Sequence, residues 1–158
     1  MTDKISIKGT APKYDEALLK QRQAARHNQY NLTSESHTIA RGEIAFDFLT
    51  NVIELSNQGY ELSNGYPIAT DPMSYHAYMK KPEAIQQVEK KALDAQVKLD
   101  YVAWLESEHE RYKQLLTAQL LQASNLKEAE KIQKAKAKLL SDIQKEVDAT
   151  FSDLVISE

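Results

Sequence analysis

From Pro82 to the end of the chain, apolar residues recur at intervals of three and four, and neither glycine nor any further proline interrupts them. Ile85, Val88, Ala92, Ala95, Leu99 and Val102 alternate in this way, followed by Leu105, His109, Tyr112, Leu116, Leu120 and Ala123. That spacing lines one face of an α-helix. The step from Val102 to Leu105 repeats a three-residue spacing, a stammer that overwinds a coiled coil locally. Ile85, Val88, Ala92, Leu99, Val102, Leu105, His109, Tyr112 and Leu116 are the predicted oligomer seam. Leu93, Val97, Trp104, Leu115 and Leu121 flank it, so the helix is expected to meet more than one neighbour. Forty residues of helix span about 60 Å, too long for one side of a compact ball.

Ser124-Asn125 is the one break signal in this half, Asn125 with Glu128 imitating a capping pair. A second amphipathic run follows in Ile132, Ala135, Leu139, Leu140, Ile143, Val147, Phe151 and Leu154. Two seams able to bury each other predict an antiparallel helical hairpin turning at residues 122–125, with a continuous rod as the alternative. The absence of a glycine at the turn favours the rod.

The first half holds all the glycines and prolines. Residues 1–12 read as a polar arm, solvated or docked on a neighbouring subunit, and Thr10 or Pro12 starts a short helix over residues 14–27. Thr33 and Ser34 are good N-caps, predicting a helix over residues 36–57 with Ile39, Ala45, Phe46, Phe48, Leu49, Val52, Ile53 and Leu55 as its apolar positions. Gly59 terminates it. Gly42 weakens it unless a neighbour packs closely there. Tyr60 to Ile68 has Asn64-Gly65 between alternating apolar residues, a β-hairpin signal, although Pro67 limits the second strand to an edge. Asp71-Pro72 is a second turn, and Tyr75, His76, Tyr78 and Met79 form an aromatic cluster. The expected fold is mainly α: an N-terminal arm with a short helix (1–33), a further helix plus a Tyr-rich hairpin or loop (34–82), and an elongated, coiled-coil-like helical hairpin (83–158), together one compact unit.

Charge refines this picture. A net charge of −3 argues against a strongly basic, whole-surface nucleic-acid binder but allows a local basic patch. The opening to Arg41 is basic, residues 42–79 carry acids without lysine or arginine, and Lys127, Lys131, Lys134 and Lys138 form a stripe at helical spacing. These four are the candidate phosphate contacts. Tyr60, Tyr66, Tyr75 and Tyr78 are the candidate partner contacts, tyrosine being good interface material. The chain has no cysteine, hence no thiolate ligand or nucleophile. With no signal-peptide pattern and no membrane span, cytoplasmic synthesis is expected.

Catalytic chemistry has little to work with. Glu106 and His109 form an E-x-x-H, but di-iron bundles need two such motifs and further glutamates, and no second copy exists. There is no phosphate loop and no G-x-S-x-G elbow. No catalytic residue, cofactor, metal or small-molecule substrate is expected. The sequence points to a non-enzymatic, homo-oligomeric structural or assembly protein, a make-up shared by small virion and phage-assembly components. The alternatives are a nucleic-acid-associated packaging or recombination helper using the lysine stripe, and an inhibitor or adaptor docking its acidic residues 43–71 on a host protein.

Overall fold

The computed structural model describes residues 5–151 together with 153 and 156. Leu154 and the first four residues of the arm lie outside the described residues. In chain order the elements are α1 (Glu16–Leu32), a 3-10 turn (Ser34–Ser36), β1 (His37–Gly42), α2 (Ala45–Asn57), β2 (Glu61–Leu62), β3 (Ala69–Asp71), β4 (Ser74–Lys80) and α3 (Glu83–Thr150). The chain forms two units, Lys13–Glu106 on one hand and Met1–Pro12 with Ser107–Glu158 on the other. The protein is mainly helical, as expected, and it also carries a four-stranded antiparallel sheet.

In the first unit, α1 starts later than Thr10 or Pro12 because Asp15 is the cap, its carboxylate accepting from the Ala17 amide at 2.8 Å. The helix lies along the first part of α3. Leu19, Tyr30 and Tyr101 are buried between them, the Asp15 amide donates to the Tyr101 hydroxyl at 3.1 Å, and Gln23 donates to the Asp94 carbonyl at 3.1 Å. The Arg22 guanidinium sits 4.9 Å from the Tyr101 ring and 4.8 Å from that of Trp104, favourable cation–π placements.

The helix expected from residue 36 begins only at Ala45, because His37–Gly42 pairs with β4 as a strand. Gly42 ends that strand where α2 crosses it: a Cβ there would stand 2.3 Å from the Phe48 amide nitrogen. The close packing that the glycine required is therefore between strand and helix. Ala40, Ala77, Met79 and Phe48 form the core between sheet and α2, with Val52, Leu55, Tyr60 and Tyr75 around them. Gly59 terminates α2 as predicted, at φ 94°. The Gly59 amide donates to the Ser56 carbonyl at 3.0 Å and the Tyr60 amide to that of Leu55 at 3.1 Å, the two bonds of a Schellman motif.

The hairpin predicted across Asn64-Gly65 does not form. β2 and β3 both pair with β4 instead, in registers Leu62↔Met79 and Ala69↔His76. Seven steps along one side thus face three along β4, leaving a loop in that edge. Pro67, which has no amide to donate, lies in the loop. The observed tight turn joins β3 to β4 at Pro72-Met73, with Met73 at φ 64°.

α3 is one helix from Glu83 to Thr150 and runs straight through Ser124-Asn125. The expected helical hairpin is absent, and with it the burial of one seam by the other. Both residues occur in helices at modest cost, and without a glycine or proline nothing in the backbone forces an end there. In the second unit the described part of the arm lies on its own chain: the Ile5 amide donates to Gln122 Oε1 at 2.9 Å and the Tyr112 hydroxyl to the Lys8 carbonyl at 3.4 Å.

Candidate functional site

The predicted oligomer seam divides on α3. Ile85, Val102, Leu105 and Tyr112 are half-buried, whereas Val88, Ala92, Leu99, His109 and Leu116 are exposed. Of the flanking residues, Leu93, Val97 and Leu115 are half-buried too, while Trp104 and Leu121 are exposed.

Among the described residues every one from 123 to 150 on α3 is exposed. Leu126, Ile132, Leu139, Leu140, Ile143 and Val147 are between 44% and 67% accessible. A large apolar side chain left in water forgoes about 1.5–3 kcal/mol available on full burial. Single exposed leucines are ordinary, but a contiguous apolar row marks an interaction surface. Lys127, Lys131, Lys134 and Lys138 follow one another on the same helix at helical spacing, all exposed. Among the described residues, none of the four has a carboxylate within 4.0 Å, while Lys145 has Asp142 at that distance.

The four tyrosines separate by sheet face. Tyr60 and Tyr75 pack against the core under α2, Tyr75 stacking on Phe48 at 6.1 Å between centroids. Tyr66 and Tyr78 lie together at 4.5 Å, and Tyr66 meets His37 edge-on at 5.1 Å. All four are half-buried. α2 leaves its outer face uncovered, with Phe46 at 74%, Leu49 at 55% and Ile53 at 60% accessibility.

A groove of about 480 Å³ in the first unit is lined by Tyr30, Glu35, His37, Lys81 and Glu89 among others. Lys81 Nζ reaches both oxygens of Glu89 at 2.8 and 2.9 Å, and the buried Tyr30 hydroxyl donates to the same carboxylate. Burial pushes the Tyr30 phenol well above its usual range, and the bond to Glu89 pushes the same way. Burial also raises the Glu89 carboxyl, but the bonds from Lys81 and Tyr30 outweigh it and hold the group below the usual carboxylate range. For His37 burial is the largest influence and lowers it, against a backbone hydrogen bond with Thr33 that raises it, while Lys80 and Lys81 lower it further. A carboxylate engaged on both oxygens is a poor general base. The cluster ties α1 to the start of α3, and no local sequence signal reveals it, because Tyr30 and Glu89 stand 59 residues apart.

Glu106 and His109 are both exposed, and among the described residues no three His, Asp or Glu side chains converge as a metal-ligand set. No helix among the described residues is long and apolar enough to cross a membrane. Compared with known proteins, the chain matches no family model, no curated protein and no solved structure.

Proposed function

We propose that this protein is a non-enzymatic, self-associating structural or assembly protein, acting through the uncovered faces of its long helix. The observation that carries this reading is the row Leu126, Ile132, Leu139, Leu140, Ile143 and Val147, exposed on one uninterrupted helix. Exposed apolar surface of that extent is stabilised when a partner covers it. The Tyr30–Glu89–Lys81 network fits a non-enzymatic role, since the Glu89 carboxylate is engaged on both oxygens. Light scattering over a range of protein concentrations tests the reading. An oligomer is expected, and a monomer at every accessible concentration overturns it.

A second reading rests on the exposed stripe Lys127, Lys131, Lys134 and Lys138: a nucleic-acid-associated accessory factor holding phosphates along α3. Such binding weakens steeply with salt. A labelled duplex or single strand that does not shift at low salt removes it.

A further inference from the structure

We propose that α3 pairs antiparallel with α3 of a second copy of this chain, with the two-fold axis at Leu139-Leu140. The inference rests on the self-association reading above and names its partner and geometry. Ile132, Ala135, Leu139, Ile143 and Val147 follow one another at steps of three, four, four and four, which keeps them on one face of the helix. Within the chain the four large ones are 51%, 60%, 48% and 44% accessible.

The row is close to symmetric about its centre. Ile132 precedes Leu139 by seven residues, and Val147 follows Leu140 by seven. Reversing a second copy about that point therefore sets Ile132 against Val147 and the leucine pair against itself, with Ala135 one residue out of line with Ile143. The small Ala135 beside the larger Ile143 of the second copy leaves room for the side chains to interdigitate.

Charge selects this orientation over the parallel one. Residues 127–138 hold five lysines and two glutamates, whereas residues 139–150 hold Asp142, Glu146 and Asp148 against Lys145 alone. A parallel, in-register pair places the two lysine-rich stretches side by side. The antiparallel pair places each against the acid-bearing stretch of the other copy. Lys131, Lys138, Asp142 and Glu146 lie along one edge of the apolar row, at steps of seven, four and four. Reversal brings Lys131 within two residues of Glu146 and Lys138 within one of Asp142, offsets that long side chains span at about 1.5 Å rise per residue, and the two-fold repeats both pairs. Lys136, the one lysine within the row, comes beside Ile143 and Asp142 of the second copy, where its stem covers apolar surface and its ammonium has a carboxylate in reach. Complementary charge of this kind fixes register and partner.

The chain has no native cysteine, so single-cysteine variants of the full-length protein report the geometry directly under mild oxidation. Leu139→Cys is expected to cross-link to itself, and Ile132→Cys to cross-link with Val147→Cys when the two proteins are mixed. Ile132→Cys alone is expected to give no dimer band. A strong self-cross-link of Ile132→Cys overturns the antiparallel pairing and leaves self-association standing. Oligomers by light scattering without any of these cross-links place the contact elsewhere and overturn the inference alone. A monomer overturns both readings. Lys131→Glu is expected to weaken association several-fold, and adding Glu146→Lys to restore it; no restoration removes the charge argument for this register.

Discussion

At the scale of single residues, two positions carry consequences that can be measured. Gly42 stands where β1 meets α2, and an added methyl would collide with the Phe48 backbone at 2.3 Å for the nitrogen and 2.7 Å for Cα. Backbone cannot yield as a flexible side chain does, so Gly42→Ala is expected to lower stability by about 2–3 kcal/mol, read as a fall in the denaturation midpoint at unchanged m-value. The second position is the groove around Tyr30, whose titrating groups shift in opposite directions. His37 and Glu89 are lowered in the folded chain, so the unfolded chain binds more protons in acid. Their contribution is complete above the ordinary imidazole value of about 6.5 and is lost as pH falls below it, Glu89 adding its loss below about 4.3. Tyr30 is raised, so its contribution is complete below the ordinary phenol value of about 10 and is lost as pH rises beyond it. Denaturation midpoints against pH should show a plateau between these limits, and His37→Gln should flatten the upper part of the acid limb. An acid limb unchanged in that variant would show that His37 protonation does not limit stability.

Among elements, ends were more legible than identities. The Gly59 stop of α2 was readable because φ 94° belongs to the left-handed region that glycine enters without penalty. Gly59→Ala is expected to cost about 1 kcal/mol through that strain, with thermal unfolding as the measure. The start of the same helix was misplaced because His37–Gly42 is short, weakly alternating and β only by virtue of its partner β4, a pairing some 40 residues distant that no local pattern contains. The same cause hid the sheet at residues 60–71. Asn64-Gly65 has the turn chemistry of a hairpin, yet both of its flanks found a better partner in β4, whose Ala77 and Met79 are buried. On α3, periodicity located the apolar rows but could not decide which of them the rest of the chain would cover. Leu93, Val97 and Leu115 of the flanking set are half-buried while its Trp104 and Leu121 are exposed. The seam divides in the same way, with Val102 and Leu105 half-buried and Val88 and Leu99 exposed. Candidate site residues followed that limit: the sequence shows which faces exist, and only the placement of α1 and the arm shows which are left open.

For the molecule as a whole, the two units hold their structure in different ways, and this leads to a final expectation. Lys13–Glu106 has a buried core between sheet and α2, and Leu19, Tyr30 and Tyr101 buried between α1 and α3. In the other unit, α3 from residue 123 to 150 is exposed at every described residue. Its stability there rests on propensity, which its alanine, leucine, lysine and glutamate content favours, and on local pairs such as Gln144 to Asp148 at 2.8 Å. Helices held only in this way are marginal in water, because most helical stability in proteins comes from packing one face. If a second copy supplies that packing, the helicity of this segment depends on concentration, as any association-coupled structure does. Far-ultraviolet circular dichroism is therefore expected to lose helical signal on dilution, while near-ultraviolet signal from Trp104 and the tyrosines of the other unit holds steady. Leu139→Asp, which puts a charge into the apolar row, should give the diluted spectrum at every concentration. Constant helicity down to a proven monomer would mean that propensity alone maintains the helix, and the exposed row would then lose its role as the element that completes the fold.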